Sequence, residues 1–408
     1  MTHRLYYTDP TLTEFDAQIT DIVPSPRPAL VLDSTAFYPT SGGQIFDTGT
    51  LRVGNRLLTV TEVAEDEDSG RIVHFVEGEL GHIAVADRAH GTIDVARRRD
   101  HIQQHSGQHV LSAAFIQLFK MATVSFHMGA ESCTIDLATP NLSREQIIQA
   151  EELANHVVFE DRPVSIRFVK ADQAQELGLR KIPELGKAEL RLIDIQDFDL
   201  TACGGTHVAR TGEIGAILLR KTEKTKQGVR VEFVCGVRAL HTARKDYESL
   251  NQAAELFSAH IWDVPQQLRK MLDDVKAERK SKQQLLEELA HLNAQRLLGE
   301  APEENGIRVI SHAFPERDLS FIKLVAQQAT RSGRKVIVFL GCGTPSPGMV
   351  FAQTPGLPFD MSAQIKQATA LAGGRGGGTK DLAQGGAQDA TKLQMAIAQA
   401  AEQVRRGT

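Results

Sequence analysis

The stretch "RDHIQQHSGQHVLSAAF", residues 99–115, carries His101, His105 and His109, each four residues after the last. Positions four apart share one face of a helix, and i, i+4, i+8 cover only about 80° of arc. The spacing therefore predicts a helix that lines three imidazoles along one stripe. Two imidazoles four apart supply half of a tetrahedral metal site. The other half needs a tighter element. "CGGTH" (203–207) is the one place where a cysteine has a histidine within five residues on its C-terminal side. Gly204 and Gly205 free the backbone to turn Cys203 and His207 toward one point. Cys133, six residues after His127, makes a poorer clamp.

Of the three helical histidines, His101 follows four charged residues and precedes two glutamines, which reads as a wet neighbourhood. His105 and His109 lead into the apolar "VLSAAF" and are the expected ligands. The expected set is thus His105, His109, Cys203 and His207. Imidazole and thiolate together suit zinc, one Zn(2+) per chain, with iron(II) the alternative.

At 408 residues the chain exceeds one ordinary core, and two to four domains are expected. Hydrophobic content of 41% and charged content of 24% are those of a soluble globular protein. No stretch approaches the ~20 apolar residues of a membrane span, and the N-terminus lacks an apolar signal core, so a cytoplasmic location is expected. Four cysteines without a CxxC pair read as thiols, not as a disulfide framework. Net charge is −5, yet Arg97-Arg98-Arg99, "RKTEKTKQGVR" (220–230) and "KAERKSK" (276–282) are locally basic. Each is ordinarily a solvated face, and together they are candidates for a phosphate-binding surface.

Along the chain the fold class reads as α+β and multidomain. Residues 1–93 carry β-rich runs, "ALVLD", "LLTVTEV", "RIVHFV" and "HIAVA", at regular spacing, which predicts a small β-barrel or sandwich. "TAFYPTSGGQIFDTGTL" (35–51) between them is a loop. Residues 94–238 alternate helix and strand, including a helix at "SREQIIQAEELANHVVFE" with Ser143 as N-cap and Gln146 in the capping-box position, and a strand at "AELRLIDI" (188–195). Residues 239–300 are helical, with a break at "WDVP" (262–265). From Pro265 to 298, Leu268, Met271, Val275, Leu285, Leu289 and Leu292 keep a seven-residue rhythm interrupted by Glu278 and Lys282. A spacer arm of about 50 Å is expected, with a homodimeric coiled coil as the rival reading. Residues 301–408 read as a compact α/β domain with the glycine-rich "GGRGGGTKDLAQGGA" near its end.

"HSGQH" before an apolar helix, "CGGTHV" about a hundred residues on, a long helix and the "GGRGGG…AQGG" tail together resemble the alanyl-tRNA synthetase editing family. "FYPTSGGQIFDTG" is similar to the glycine-rich loop of that family's preceding barrel. The likeness runs over essentially the whole chain. No amino-acid activation domain fits ahead of that loop, so the freestanding long form, AlaX-type, is the expected branch. The resemblance implies a zinc-binding editing domain at 94–238 and a tRNA-binding α/β domain at 301–408. It implies hydrolysis of wrongly charged tRNA(Ala), chiefly Ser-tRNA(Ala) and also Gly-tRNA(Ala), at the 3′ ester.

The resemblance also implies a hydroxyl-bearing discriminator near "MATVSFHMG" (121–129), for which Thr123 and Ser125 are the candidates, with His127 positioning substrate or water. It places Gly42, Gly43 and Gln44 beside the site, with Gly204 and Gly205, and offers Arg375 and Lys380 of the tail as an RNA backbone cradle. Four protein ligands leave no open position on zinc and three leave one, and the sequence leaves both open. "HSGQH" lacks the glutamate of HExxH, which argues against a peptidase. No DHH motif accompanies the C-terminal domain, so phosphoesterase activity is not implied. The rival functions are a non-catalytic zinc-stabilised tRNA-binding module, the editing half of a split synthetase, and threonyl-tRNA editing.

Overall fold

The computed structural model describes residues 2–407 except 25, 67, 171, 172, 174–176, 178 and 181–188. Backbone contacts divide the chain into two compact units, Met1–Ala253 and Ala254–Thr408. Seven α-helices and a closed six-stranded barrel among the described residues make it an α+β multidomain protein. No described helix is long and apolar enough to cross a membrane.

In the first unit, Glu14–Val23, Ala29–Leu32, Ile72–Glu77, Arg56–Glu65, Gly49–Val53 and Arg88–Ile93 close in that order, every pairing antiparallel. Alternation does the sorting: Phe15, Ala17 and Ile19 point into the barrel while Glu14, Asp16 and Gln18 face out. The "HIAVA" run (82–86) is not a strand. Asp87 Oδ2 accepts from Ala84 N at 2.8 Å, Ala86 sits at φ 77°, and Val85 is left 57% exposed, so the chain turns here and the strand begins at Arg88.

His74 is fully buried in the barrel, its Nε2 2.8 Å from Thr35 Oγ1 and its Nδ1 3.1 Å from Leu30 O. Burial pushes its imidazole down to about 4. An unfolded histidine takes its proton near 6.5, so this group's contribution is intact above that pH and is lost as the pH falls toward 4, by about 3 kcal/mol. The expected outcome is an NMR titration of the folded His74 ring with its midpoint near 4. A midpoint at the ordinary value would sink the assignment.

Helix α1 (Val95–Phe119) starts at Asp94, which accepts from Arg97 N, and ends at Lys120 in the left-handed conformation, φ 59°. Although its middle is polar, it is buried all round from Ile102 to Phe115. Several of its polar side chains find partners on neighbouring segments. Gln104 bonds both ends of the Cys235 peptide, Gln103 donates to Glu213 O, and Ser106 accepts from Val208 N. Gly107 lets the helix lie against Cys235, whose sulfur a Cβ there would overlap.

Around α1 pack a four-stranded antiparallel sheet, Ile217–Thr225, Gly228–Cys235, Cys133–Leu137 and Thr123–Met128, and a three-stranded one, Val164–Lys170, Glu189–Ile195 and Asp199–Ala202. Ala188, the first residue of the expected "AELRLIDI" strand, lies outside the described residues. Helix α2 (Arg144–Phe159) carries the complete capping box of Ser143 and Gln146. Helix α3 (Gly236–Leu256) closes the unit and runs over its boundary.

Members of two of the basic clusters form ion pairs within the unit. Arg98, 2% exposed, is paired with Asp47, while Arg220, Lys221 and Arg230 pair with Asp246, Glu223 and Asp136. Arg98 therefore belongs to the core and not to a phosphate-binding face.

In the second unit, α4 (Val264–Glu300) buries Ala290, Ala294, Leu297 and Leu298 at its C-terminal end and leaves Leu268, Met271, Val275, Leu285 and Leu292 exposed. It packs on α5 (Leu319–Thr330) and on one face of a six-stranded sheet, whose other face is covered by α6 (Met361–Leu371) and α7 (Leu393–Gly407). Along Val336–Cys342, Val336, Val338 and Leu340 serve the first face, and Ile337 and Phe339 the second. The glycine-rich tail is not an open loop. Arg375–Gly378 and Leu382–Gly386 form an antiparallel hairpin at the sheet edge. Gly374, Gly378 and Gly385 allow backbone contact that a Cβ would block, so the glycines serve strand packing. Arg375 and Lys380 are exposed on that hairpin.

Candidate metal centre

His105 and His109 stand on α1 with ring centroids 5.1 Å apart, one helical turn from each other. The turn after Asp199–Ala202 brings His207 edge-on to both, at 4.7 and 4.6 Å, and Cys203 Sγ lies 3.1 Å from His105 Nε2. One donor atom from each of the four residues lies within 4.8 Å of all the others. A tetrahedral zinc with these ligands would separate its donors by roughly 3.3–3.8 Å. The three histidines are buried, and His207 Nε2 has no hydrogen-bond partner among the described residues. A buried, unpaired imidazole nitrogen among three other soft donors is an arrangement that a cation completes. The residues fit a metal.

The electrostatics at Cys203 and His207 lean the same way. Burial raises the Cys203 thiol, but the His105 and His109 rings outweigh it and hold the thiol well below its usual range. Burial lowers His109, but the Cys203 sulfur and Asp199 outweigh that, and it titrates above its ordinary value. Burial holds His207 well below its own, so it presents a neutral ring. A thiolate and neutral imidazole are the forms that bind metal.

The "CGGTH" turn is clamped by two side chains. Gln44, fully buried, donates to Thr206 Oγ1 at 2.8 Å and accepts from Thr206 N at 3.2 Å. Arg191 donates to the carbonyls of Cys203 and Gly205 at 2.6 and 3.0 Å. A Cβ on Gly205 would sit 2.5 Å from His105 Nε2, whereas one on Gly204 would meet only Tyr7 Oη at 3.4 Å. Gly43, at φ 83°, lets its loop press on the Phe126 backbone. Both amide ends of Gln44 are engaged, which makes it a strut of the loop. Gly42 faces open space.

Of the segment at 121–129, Phe126 meets the His105 ring edge-on at 5.6 Å. Strand alternation then turns Ser125 and His127 to the other face. Ser125 Oγ donates to Asp136 at 2.7 Å, and both it and His127 are exposed. Thr123 differs, because a register shift separates it from Ser125 and its hydroxyl donates to Ser112 Oγ at 2.7 Å. Gln108 also donates to Ser112, so Thr123 joins a polar stripe on α1 one turn beyond His109.

His101 is 1% exposed, against the wet neighbourhood its flanking charges imply. The charged residues around it turn to partners of their own, Arg98 to Asp47 and Asp100 to Arg238. Burial pushes His101 down to about 4. Sequence reasoning also missed Arg191, Arg180 and Asp199. Only Asp199 carried a signal, as an acid four residues before Cys203.

Residues 7–97 match the family model of "tRNA synthetases class II (A)", and residues 190–232 that of "Threonyl and Alanyl tRNA synthetase second additional domain". The chain is 30% identical over 390 residues to the alanyl-tRNA editing protein AlaX-L of Pyrococcus horikoshii, covering 94% of each. It is 31% identical over 408 residues to the alanine–tRNA ligase of Pyrococcus abyssi, covering 97% of this chain and 43% of that protein. For the ligase of Pyrococcus furiosus the identity is 32% over 405 residues, with the same coverage. The chain thus spans less than half the length of these ligases.

Proposed function

Because the chain belongs to the alanyl-tRNA editing family, we propose that it is an aminoacyl-tRNA deacylase that clears mischarged tRNA(Ala) in trans. Its substrates in this reading are Ser-tRNA(Ala) chiefly and Gly-tRNA(Ala), cleaved at the 3′ ester. The observation that carries the reading is the His105–His109–Cys203–His207 cluster, its three histidines buried, in a chain matching an editing protein over 94% of both lengths. One zinc ion per chain is the proposed occupant. Bound there, zinc would supply Lewis-acid polarisation at the ester. On this division the segment 94–238 edits behind the 1–93 barrel, and 301–408 binds tRNA, with Arg375 and Lys380 toward its backbone. The proposed setting is the cytoplasm.

The need for such an enzyme follows from binding energies. A pocket for alanine gains only about 1–3 kcal/mol per methylene-sized difference and rejects an added hydroxyl weakly. A second site that hydrogen-bonds the serine hydroxyl spares alanine, which would leave that polar site unpaired. Thr123, beside Ser112 and Gln108, is the proposed discriminator. Thr123→Val is expected to reduce serine-over-alanine selectivity by about tenfold, the worth of one hydrogen bond near 1.5 kcal/mol.

The test is amino-acid release from Ser-tRNA(Ala) and Ala-tRNA(Ala) by the purified protein alone. Fast serine release with alanine spared supports the reading. Four protein donors also favour a closed, structural metal site. Under that second reading both esters survive while the tRNA still binds. Gly205→Ala is expected to displace His105 and lower zinc content more than Gly204→Ala does, as metal analysis would show. A homodimer through the exposed stripe of α4 is also part of the proposal. A sedimentation mass that stays monomeric at high concentration rejects it.

A further inference from the structure

Asp199 begins the strand that delivers Cys203, and its side chain is 3% exposed. Its Oδ1 accepts from Arg180 Nε at 2.8 Å. Its Oδ2 has no hydrogen-bond partner among the described residues, and lies 3.7 Å from His109 Nδ1. Arg180 Nη2 lies 3.1 Å from the same Nδ1. His109 thus has two neighbours competing for one nitrogen, and they demand opposite things of it.

A guanidinium has donors only, so an Nδ1 bonded to Arg180 has to hold the lone pair. The ring proton of a neutral His109 then sits on Nε2, the nitrogen on the side of the cluster, and blocks it as a ligand. A carboxylate only accepts. An Nδ1–H given to Asp199 Oδ2 frees the Nε2 lone pair for a metal. The carboxylate is buried and half satisfied, and an unsatisfied charged oxygen is costly in that position. Moving His109 Nδ1 or Oδ2 by a few tenths of an ångström would close the 3.7 Å gap to a hydrogen bond. Arg180 would keep Oδ1 and balance the buried charge.

Resting on the metal reading above, we propose that Asp199 is a positioning residue. Held by Arg180, it accepts a hydrogen bond from His109 Nδ1–H, which leaves the Nε2 lone pair for the zinc. His105 has no such neighbour: its Nδ1 lacks any partner among the described residues. The tautomer of His109 is therefore set from outside the cluster, and that of His105 is not. Carboxylate support of a ligating histidine is typically worth 10–100-fold in metal affinity.

The experiment uses the full-length protein and zinc itself. Zinc affinity is measured by competition with a chromophoric chelator for the wild type, Asp199→Asn, Asp199→Ala and Asp199→Glu. The His109 tautomer is read from ring nitrogen-15 shifts of the zinc-loaded forms. Expected are an affinity loss of about 10–100-fold in Asp199→Ala, partial recovery in Asp199→Glu, and an Nδ1–H tautomer in the wild type. Asp199→Asn, nearly isosteric, carries the test if Asp199→Ala fails to fold. Tight zinc binding by the wild type, with unchanged affinity and tautomer in the variants, overturns this proposal alone. A wild type that takes up no zinc overturns the metal reading and this proposal together.

Discussion

Cys203→Ala is expected to cut serine release from Ser-tRNA(Ala) by at least about 100-fold and to strip the protein of most of its zinc. Removing a supporting residue outside the metal's own ligands already costs 10–100-fold in affinity, so losing a ligand should cost no less. The thiolate is the one anionic donor of the four, and without it a cation would face three neutral rings in a buried site. The hydrogen bonds of the Cys203 sulfur lie within the histidine cluster and the turn itself. The variant should therefore stay folded and still bind tRNA. Two measurements decide it: zinc per chain by metal analysis, and the rate of deacylation at saturating enzyme. Zinc lost with the rate intact would show that the chemistry does not need the metal. Both intact would remove the cluster from the chemistry altogether.

Asp47→Ala is expected to cost about 3–5 kcal/mol of stability, the usual penalty for leaving a buried charge without its partner. Asp47 is fully buried and Arg98 is 2% exposed. Arg98 donates to both carboxylate oxygens at 2.6–3.2 Å and to Pro10 O at 2.7 Å, while Tyr38 N donates to Asp47 at 2.7 Å. The pair thus ties the loop at 35–51 to the first turns of α1. Its loss should loosen Gln44 as well, and with it the clamp on Thr206. Urea unfolding of Asp47→Ala, Arg98→Met and the double variant would measure the pair. The double variant should cost less than the sum of the singles, because it leaves no orphaned charge. Strict additivity would show that the two side chains act independently.

Much of the candidate metal cluster was legible because each half of it is local. HxxxH and CxxxH bring their donors together by helix pitch and by a glycine turn, before any long-range packing is known. The capping box at Ser143 and the alternating barrel strands are legible for the same reason: their signals are complete within a few residues. The failures have an equally plain cause. "HIAVA" alternates as a strand does, but whether alternate side chains find a core is not written within five residues. The run 97–101 looks solvated, yet Arg98 and His101 are buried, because Arg98 finds its partner in Asp47, some fifty residues away, and the helix packs there against segments distant in sequence. "GGRGGGTKD" has the composition of a phosphate loop and the structure of an edge hairpin, since glycine serves either whenever backbones must approach.

By itself, then, the sequence determined the four residues of the candidate cluster, the helical stripe that carries half of it, and the family to which the whole pattern belongs. Tertiary structure decided which hydroxyl of 123–127 can face α1, which glycine is sterically required, and which acid stands behind His109. Those questions turn on a strand register, a Cβ contact and a gap of 3.7 Å. The last two are set by the packing of segments about a hundred residues apart, and the first by how neighbouring strands pair against the helix. No local periodicity encodes such distances, because they are the outcome of many contacts being satisfied at once.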